Sequence, residues 1–567
     1  MQTIENLGEY TFSALLKNTV KLFGQRPALS FVEGNPITYN EFNKQINFFK
    51  QFLFETGVKP LDKVAIYSPS CPNWAIAYFA IVTIGAIAVP LLPDFNELET
   101  SSCIDHAEVK IIIAAEKLLP KLQNIQTLET IIDISDFSLK KGQKVNAGIV
   151  PEFTCKEEDT ASIIYTSGTT GRSKGVVLSH KNFIFTAIAG QYCQRINQYG
   201  VALSILPMSH VYEFTIGFLM FVLNGACIYY LEGPPVPRIL LPALKKVRPH
   251  FMLTVPIVIE KIYKQKILPA FNSSEFIKKI YGTKIGRKLL CRKAGKKLKK
   301  TFGGRLKFFG IGGSKTDPIV EQFMKDAKFP YAIGYGLTET SPLVAYSGIK
   351  ETIPGLIIKN VPGVEIKLGN PDPNTGIGEL FVKGPNVMKG YYKAPELTKE
   401  VFTDDGWFRT GDLCSFDEKG RITLKGRSKN MIVGSSGENI YPEDIEFVLN
   451  QHPFVSESLV IEGENTSLVA YVQLNEEKLK TAAEELSIKE NIKQNINEIH
   501  DVIESTVSDI SNAILYKREE ILDEIKFFVN SKVNKFSKIN KIEAVETFEK
   551  TASQKIKQLQ HKYYTLL

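Results

Sequence analysis

The sequence predicts an α/β protein. The expected architecture is a large N-terminal domain of parallel-sheet α/β subdomains with a small β-barrel-like region, followed by a small α+β C-terminal domain. Three observations carry this expectation. At 567 residues the chain is too long for one hydrophobic core. Short β-branched runs such as Lys63–Tyr67, Lys110–Ala114 and Phe251–Val255 alternate with amphipathic stretches, the signature of strands and helices in parallel sheets. Between Val361 and Val382 the pattern changes to short alternating runs broken by Gly and Pro, which suits a small barrel.

The elements follow in chain order. Met1–Asn6 has neither the basic patch nor the apolar core of a secretory signal. Trp74–Leu92 is almost wholly apolar and has about the length of a membrane span. Gly85 and Pro90 divide it, so a buried helix over Asn73–Ile84 and a buried strand over Ile87–Leu91 are expected instead. Ala161–Ile164 reads as a strand leading into a polar, glycine-rich turn. From Lys278 to Lys307 the chain carries many lysines and arginines and no acid, while Ile277, Ile280, Tyr281, Ile285, Leu289 and Leu290 recur near helical spacing. Such a segment either lies on an anionic bilayer surface or packs on the core with a solvated basic face. A boundary at Arg427–Asn430 would divide the chain into domains 1–428 and 429–567. Past it, Pro442-Glu443-Asp444 suits a helix start, because proline fits the first turn and acids fit the N-terminal dipole. Strands around Ser458–Ile461 and Ser467–Leu474 come next. The polar stretch 475–514 keeps a helical apolar spacing and is expected to be a helical insertion.

Composition narrows the classes. The chain is 44% apolar and 23% charged, ordinary for a globular protein. Its 35 Phe and 22 Tyr can build both large cores and an apolar ligand pocket. The seven cysteines, Cys71, Cys103, Cys155, Cys193, Cys227, Cys291 and Cys414, are scattered, odd in number and without metal-ligand spacing. Reduced thiols in a cytoplasmic setting are expected. A net charge of +8 is compatible with weak attachment to the inner face of a membrane. No motif supports a nucleic-acid partner.

The run Thr166-Ser167-Gly168-Thr169-Thr170-Gly171-Arg172-Ser173-Lys174 suits a polyphosphate. Glycines let backbone N–H groups close on phosphate oxygens, hydroxyls donate further bonds, and the lysine supplies countercharge. The spacing is not that of the nucleoside-triphosphatase P-loop, and a polar hairpin turn is the alternative. In Gly334-Tyr335-Gly336-Leu337-Thr338-Glu339-Thr340, Tyr335 offers a flat face to a purine. Thr338 offers a hydroxyl to a phosphate, and Glu339 is a hard oxygen ligand suited to Mg²⁺. An exposed acid at a strand-to-loop turn is the plainer reading. Asp412, after Gly411, can accept from two ribose hydroxyls, although a lone Asp at a turn more often caps the chain.

These runs, in this order, resemble the adenylate-forming superfamily of acyl-CoA synthetases, peptide-synthetase adenylation domains and luciferases. The resemblance extends from about residue 10 to the C-terminus. It implies that Gly312-Gly313-Ser314 lines an adenine pocket and that Gly336 and Thr338 belong to the ATP site. It makes Arg427 a second ribose or phosphate contact, Lys429 a hinge, and Lys555 the catalytic lysine. No glycine precedes Lys555, and Lys557 stands where the family has arginine, so Lys550 and Lys557 compete with it. Gly437 and Glu438 would line the coenzyme A channel of a mobile C-terminal domain. Leu206–Glu213 is similar to the acyl-pocket motif of the long-chain group, which makes His210 either a gate for the acyl chain or a packed core histidine. The implied activity is fatty acid–CoA ligation, with ATP, Mg²⁺ and coenzyme A. An acyl–acyl-carrier-protein synthetase would share every adenylation motif. A non-catalytic membrane or lipid-binding protein on the same fold is the alternative from another class.

Overall fold

The computed structural model describes residues 3–145, 148–166, 173–434, 438–463, 467–476, 478–479, 518–548 and 556. The chain divides into two compact units. One holds Met1–Thr410 and Ser415–Thr423, the other Gly411–Cys414 and Leu424–Leu567. The expected boundary at Arg427–Asn430 falls inside the second unit.

Two large sheets organise the first unit. One has eight strands, with Thr130–Asp133, Ile111–Ala114, Lys63–Tyr67, Ile87–Leu91 and Thr160–Thr166 running parallel in that order. Lys174–Ser179 and Gly390–Tyr391 add antiparallel strands beyond Thr160–Thr166. The other sheet has nine strands, six of them parallel: Tyr331–Tyr335, Phe308–Ile311, Phe251–Thr254, Val201–Ser204, Cys227–Tyr230 and Pro27–Phe31. Strands such as Ile87–Leu91, Ile111–Ala114 and Phe308–Ile311 are buried at every residue. Covered on both faces, they read as continuous apolar runs and not as alternations.

The apolar stretch from Trp74 folds as a helix over Pro72–Thr83 and a strand over Ile87–Leu91. Every residue from Trp74 to Thr83 is buried, which explains an apolar surface all round. Trp74 stacks on Tyr78 with ring centroids 5.4 Å apart, and Phe214 packs 4.2 Å from Tyr78. Among the described residues no helix is long and apolar enough to cross a membrane. All seven cysteines are free thiols.

The small β region is a four-stranded sheet in the order Glu365–Gly369, Gly378–Lys383, Phe408–Phe416, Ile422–Arg427. The basic run forms helices Glu275–Gly282 and Lys284–Thr301. The longer helix packs inward through Gly286, Cys291, Gly295 and Leu298. A Cβ on Gly295 would lie 2.6 Å from the Ala327 carbonyl, so glycine permits the close approach. Phe276, Ile285 and Leu289 point to solvent, at 73%, 76% and 59% exposure.

The second unit builds its core on helix Pro442–Leu449 and a three-stranded sheet of Val455–Glu462, Leu468–Leu474 and Lys541–Val545. Ile521, Ile525 and Val529, spaced one helical turn apart, join that core from the helical segment 518–530. Of the stretch 475–514, only 475–476 and 478–479 are described.

Candidate active site

Parallel strands set the site's position. In open α/β sheets, loops leaving the carboxyl ends of the strands converge on one edge, where ligands bind. Thr166 ends one strand and Lys174 begins the next, and the two are paired across the antiparallel ladder. That pairing closes the base of the phosphate-loop candidate. Ser167, Gly168, Thr169, Thr170 and Gly171 lie outside the described residues.

Gly312 and Gly313 leave the carboxyl end of Phe308–Ile311. The Gly312 N–H donates to the Thr254 carbonyl at 3.2 Å. A Cβ on Gly312 would sit 3.2 Å from the Tyr212 ring and 3.4 Å from the Gly334 carbonyl, so this segment lies flat against both. Gly313 adopts φ +92°, a left-handed turn that favours glycine, and Ser314 is exposed. Tyr335 is buried at the end of Tyr331–Tyr335. A Cβ on Gly336 would collide with the Pro342 carbonyl, which makes glycine obligatory there.

Thr338-Glu339-Thr340 form one 3₁₀ turn. The Leu337 N–H donates to the Thr340 hydroxyl at 2.9 Å. From beneath, the buried Asn386 amide donates to the carbonyls of Thr340 at 3.2 Å and Leu343 at 2.9 Å. The Met388 N–H donates to the Glu339 carbonyl at 2.8 Å. The Glu339 side chain is held as well: Oε1 accepts the Tyr391 hydroxyl at 2.9 Å. The Lys174 ammonium lies 5.3 Å from the Tyr391 ring centroid. Lys174 and Glu339 thus meet on one tyrosine. The sequence reading missed Tyr391. Its trace was the Gly390-Tyr391-Tyr392 triplet, which carries no recognisable ligand chemistry of its own.

Among the described residues no three His, Cys, Asp or Glu side chains cluster as a metal cage. The half-buried carboxylate of Glu339 fits Mg²⁺ all the same, since that ion takes one or two carboxylates and completes its shell with phosphates and water.

In the second unit Arg427 Nε and Asp412 Oδ1 form an ion pair at 2.8 Å. The Arg427 N–H donates to Glu443 Oε1 at 3.3 Å and the Asn430 amide donates to the same oxygen at 2.8 Å. Glu443 therefore anchors the turn Ser428–Asn430, in which Lys429 is exposed. The Gly434 N–H donates to the Glu438 carbonyl at 2.8 Å, and Glu438 Oε2 is buried without a hydrogen-bond partner among the described residues. Gly437 and Lys555 lie outside the described residues, as do Lys550 and Lys557.

The acyl-pocket candidate starts a helix. The His210 N–H donates to the Pro207 carbonyl at 3.0 Å, and the His210 carbonyl accepts the Phe214 N–H at 3.0 Å. His210 is half-buried. The wide-turned segment Glu213–Leu219 follows, and Glu213 is wholly buried beside an apolar cavity lined by Ala202, Leu203, Gly217, Met220 and Phe221. Burial pushes its carboxyl up to about 8. Ser204 lies near enough to favour the charged form weakly, without forming a hydrogen bond. A Cβ on Gly217 would lie 2.7 Å from the Glu213 carboxyl carbon.

Residues 16–392 match the family described as AMP-binding enzyme. The chain belongs to this family. It is 30% identical over 499 residues to long chain acyl-CoA synthetase 7, peroxisomal, of Arabidopsis thaliana, covering 80% of this chain and 70% of that one. It is 28% identical over 478 residues to the long-chain-fatty-acid–CoA ligase FadD15 of Mycobacterium bovis, covering 78% of each. The fold is similar to that of an ATP-bound RpMatB-BxBclM chimera, with a TM-score of 0.76, 23% identity and coverage of 98% and 99%.

The buried acid gives this family member a pH signature. In the unfolded chain a glutamate titrates near about 4.3, whereas the folded Glu213 keeps its proton up to about 8. The unfolded state therefore releases a proton that the folded state retains, and stability falls as pH rises through that window. Glu213→Gln cannot ionise. Its melting temperature relative to wild type should climb between those two values and level off above the upper one. A difference that stays constant with pH would show that Glu213 is ionised in the fold.

Proposed function

We propose that this chain is an ATP-dependent long-chain fatty acid–CoA ligase. The observation that carries the reading is the meeting of Lys174 and Glu339 on Tyr391, in a unit where Gly312 follows one parallel strand and Tyr335 ends another. The long-chain relatives point to the acyl substrate. In the first step the fatty acid carboxylate attacks the α-phosphate of ATP, giving acyl-adenylate and pyrophosphate. The carboxylate is already ionised at neutral pH, so the enzyme's task is to hold two anions together and neutralise the leaving group. Thr166, Ser167, Gly168, Thr169, Thr170, Gly171 and Lys174 cradle the phosphates. Tyr335, Gly312, Gly313 and Ser314 hold the adenine, Thr338 binds phosphate, and Asp412 with Arg427 binds ribose. Mg²⁺, held by Glu339, supplies positive charge beside the phosphates when bound. In the second step the thiol of coenzyme A attacks the acyl-adenylate carbonyl and AMP leaves. His210 borders the acyl chain, and Gly437 and Glu438 line the coenzyme A channel. Replacing coenzyme A by a holo-acyl carrier protein in a thioester assay separates this reading from a carrier-protein synthetase, which would use only the latter.

Three outcomes follow. Glu339→Gln keeps the shape and removes the charge, and losing such an electrostatic contact costs on the order of 10²–10³ in rate. Adenylation should fall accordingly and demand more Mg²⁺; an unchanged Mg²⁺ profile at near wild-type rate removes Glu339 from the site.

The family resemblance implies that Lys555 acts in the first step only, with Lys429 as a hinge. Lys555→Ala should lose pyrophosphate–ATP exchange by orders of magnitude and still convert supplied acyl-adenylate and coenzyme A to thioester. Lys429→Pro should do the reverse. Equal damage to both half-reactions in Lys555→Ala contradicts the alternation, and no damage in either shifts the role to Lys550 or Lys557.

The basic helices carry a second proposal, binding to an anionic membrane surface, favoured by exposed Phe276, Ile285 and Leu289 among exposed lysines. Each such cation contributes about 1 kcal/mol near an anionic bilayer, and salt screens it. Replacing Lys296, Lys297, Lys299 and Lys300 by glutamine should weaken sedimentation with anionic liposomes. Failure of the wild type to bind them at low salt overturns the proposal.

A further inference from the structure

The strand Gly390–Tyr391 pairs antiparallel with Lys174–Ser179, placing Tyr391 opposite Val176 and two residues from Lys174. Its backbone is pinned on several sides. The Tyr391 N–H donates to the Thr398 hydroxyl at 2.9 Å, the Tyr392 N–H donates to the Gly175 carbonyl at 2.7 Å, and the Lys389 N–H donates to the Val177 carbonyl at 3.0 Å. Gly390 packs so tightly that a Cβ would sit 2.7 Å from Thr398 Cγ2, at a φ of +144° that L side chains rarely adopt. The ring thus leaves a backbone with little freedom. It reaches out of the eight-stranded sheet to a turn that follows a strand of the nine-stranded sheet, and its hydroxyl donates to Glu339 Oε1. The Lys174 ammonium sits over the same ring.

We propose that Tyr391 is a positioning residue for the triphosphate end of the site. Its hydroxyl orients the Glu339 carboxylate, leaving Oε2 as the oxygen it does not engage, and its ring seats the Lys174 ammonium. Three properties of the side chain make this work. The hydroxyl donates only along one line, so it fixes the rotation of the carboxylate about its last bond. A neutral donor leaves the carboxylate charge intact for a cation, whereas a lysine in its place would neutralise it. The ring face attracts an ammonium, which gives Lys174 a fixed surface to lie on. One residue therefore touches both an anion and a cation of the site. A carboxylate so oriented loses less freedom on taking a metal ion, and partners of this kind are worth about 10- to 100-fold in metal affinity. This inference rests on the reading of Glu339 as the residue that faces metal-bound phosphates.

The test is equilibrium binding of ATP by calorimetry, with and without Mg²⁺, alongside AMP binding and the melting temperature. Tyr391→Phe removes the hydroxyl and keeps the ring. Tyr391→Leu removes both. The expected result is a loss of about tenfold in Mg²⁺–ATP affinity for Tyr391→Phe. Metal-free ATP and AMP affinities and the melting temperature should stay near wild type. Tyr391→Leu should lose more, and should also weaken metal-free ATP through Lys174. Glu339→Gln is the control: its Mg²⁺–ATP affinity should fall while its metal-free affinity does not. If Glu339→Gln weakens Mg²⁺–ATP and Tyr391→Phe does not, the positioning role is overturned and the metal reading stands. If neither weakens it, the metal reading falls and takes the inference with it. If Tyr391→Phe lowers every affinity and the melting temperature together, Tyr391 is structural and the inference is overturned.

Discussion

The first unit depends on the direction of its strands. Parallel strands deliver their following loops to the same edge of a sheet. Thr160–Thr166, Phe308–Ile311 and Tyr331–Tyr335 are such strands, and a phosphate-loop candidate, a glycine segment and a metal-ligand candidate follow them directly. The loops themselves are shaped by forbidden space. Gly312 lies against the Tyr212 ring, and Gly336 has a carbonyl where a Cβ would go. Asn386 then ties the Thr338–Thr340 turn down from below. Backbone geometry thus places Glu339 before any ligand arrives.

Electrostatics in this chain follows the same economy. In the first unit the Glu339 carboxylate accepts from a phenol and Lys174 lies against the same ring; in the second unit Asp412 pairs with Arg427. Where an acid is buried without such help, as at Glu213, burial keeps it protonated well above its ordinary range. That acid lies three residues past His210, on a segment whose Phe214 packs against the helix Pro72–Thr83, buried from Trp74 onward. The acyl-pocket candidate therefore rests on buried aromatic packing against that helix.

Much of this was legible in the sequence. The buried helix and strand hidden in Trp74–Leu92 could be separated because Gly85 and Pro90 interrupt the run, and the start of the helix Pro442–Leu449 was marked by proline and acids. The ATP-site candidates were legible because glycines, hydroxyls and a carboxylate occur in fixed short runs. Tyr391 was not, because its role comes from strand pairing across more than two hundred residues of chain, roughly the distance from Lys174. The inward face of Lys284–Thr301 could not be chosen from the sequence for a related reason. Helical spacing identifies a stripe, but Gly286, Cys291 and Gly295 show that small residues choose which side approaches the core. The small β region expected from the short alternating runs broken by Gly and Pro over Val361–Val382 belongs to a four-stranded sheet.

The central claim is that the chain activates a long-chain carboxylic acid with ATP and passes it to coenzyme A. The measurement that tests it most directly is AMP release by the purified protein with ATP, Mg²⁺ and coenzyme A, across a series of acids from acetate to oleate. The account predicts AMP formation equal to thioester formation, strongest with the long-chain acids and absent without an acid. AMP formed equally well with acetate would contradict the long-chain assignment. Fatty acid binding without any AMP would contradict the ligase itself.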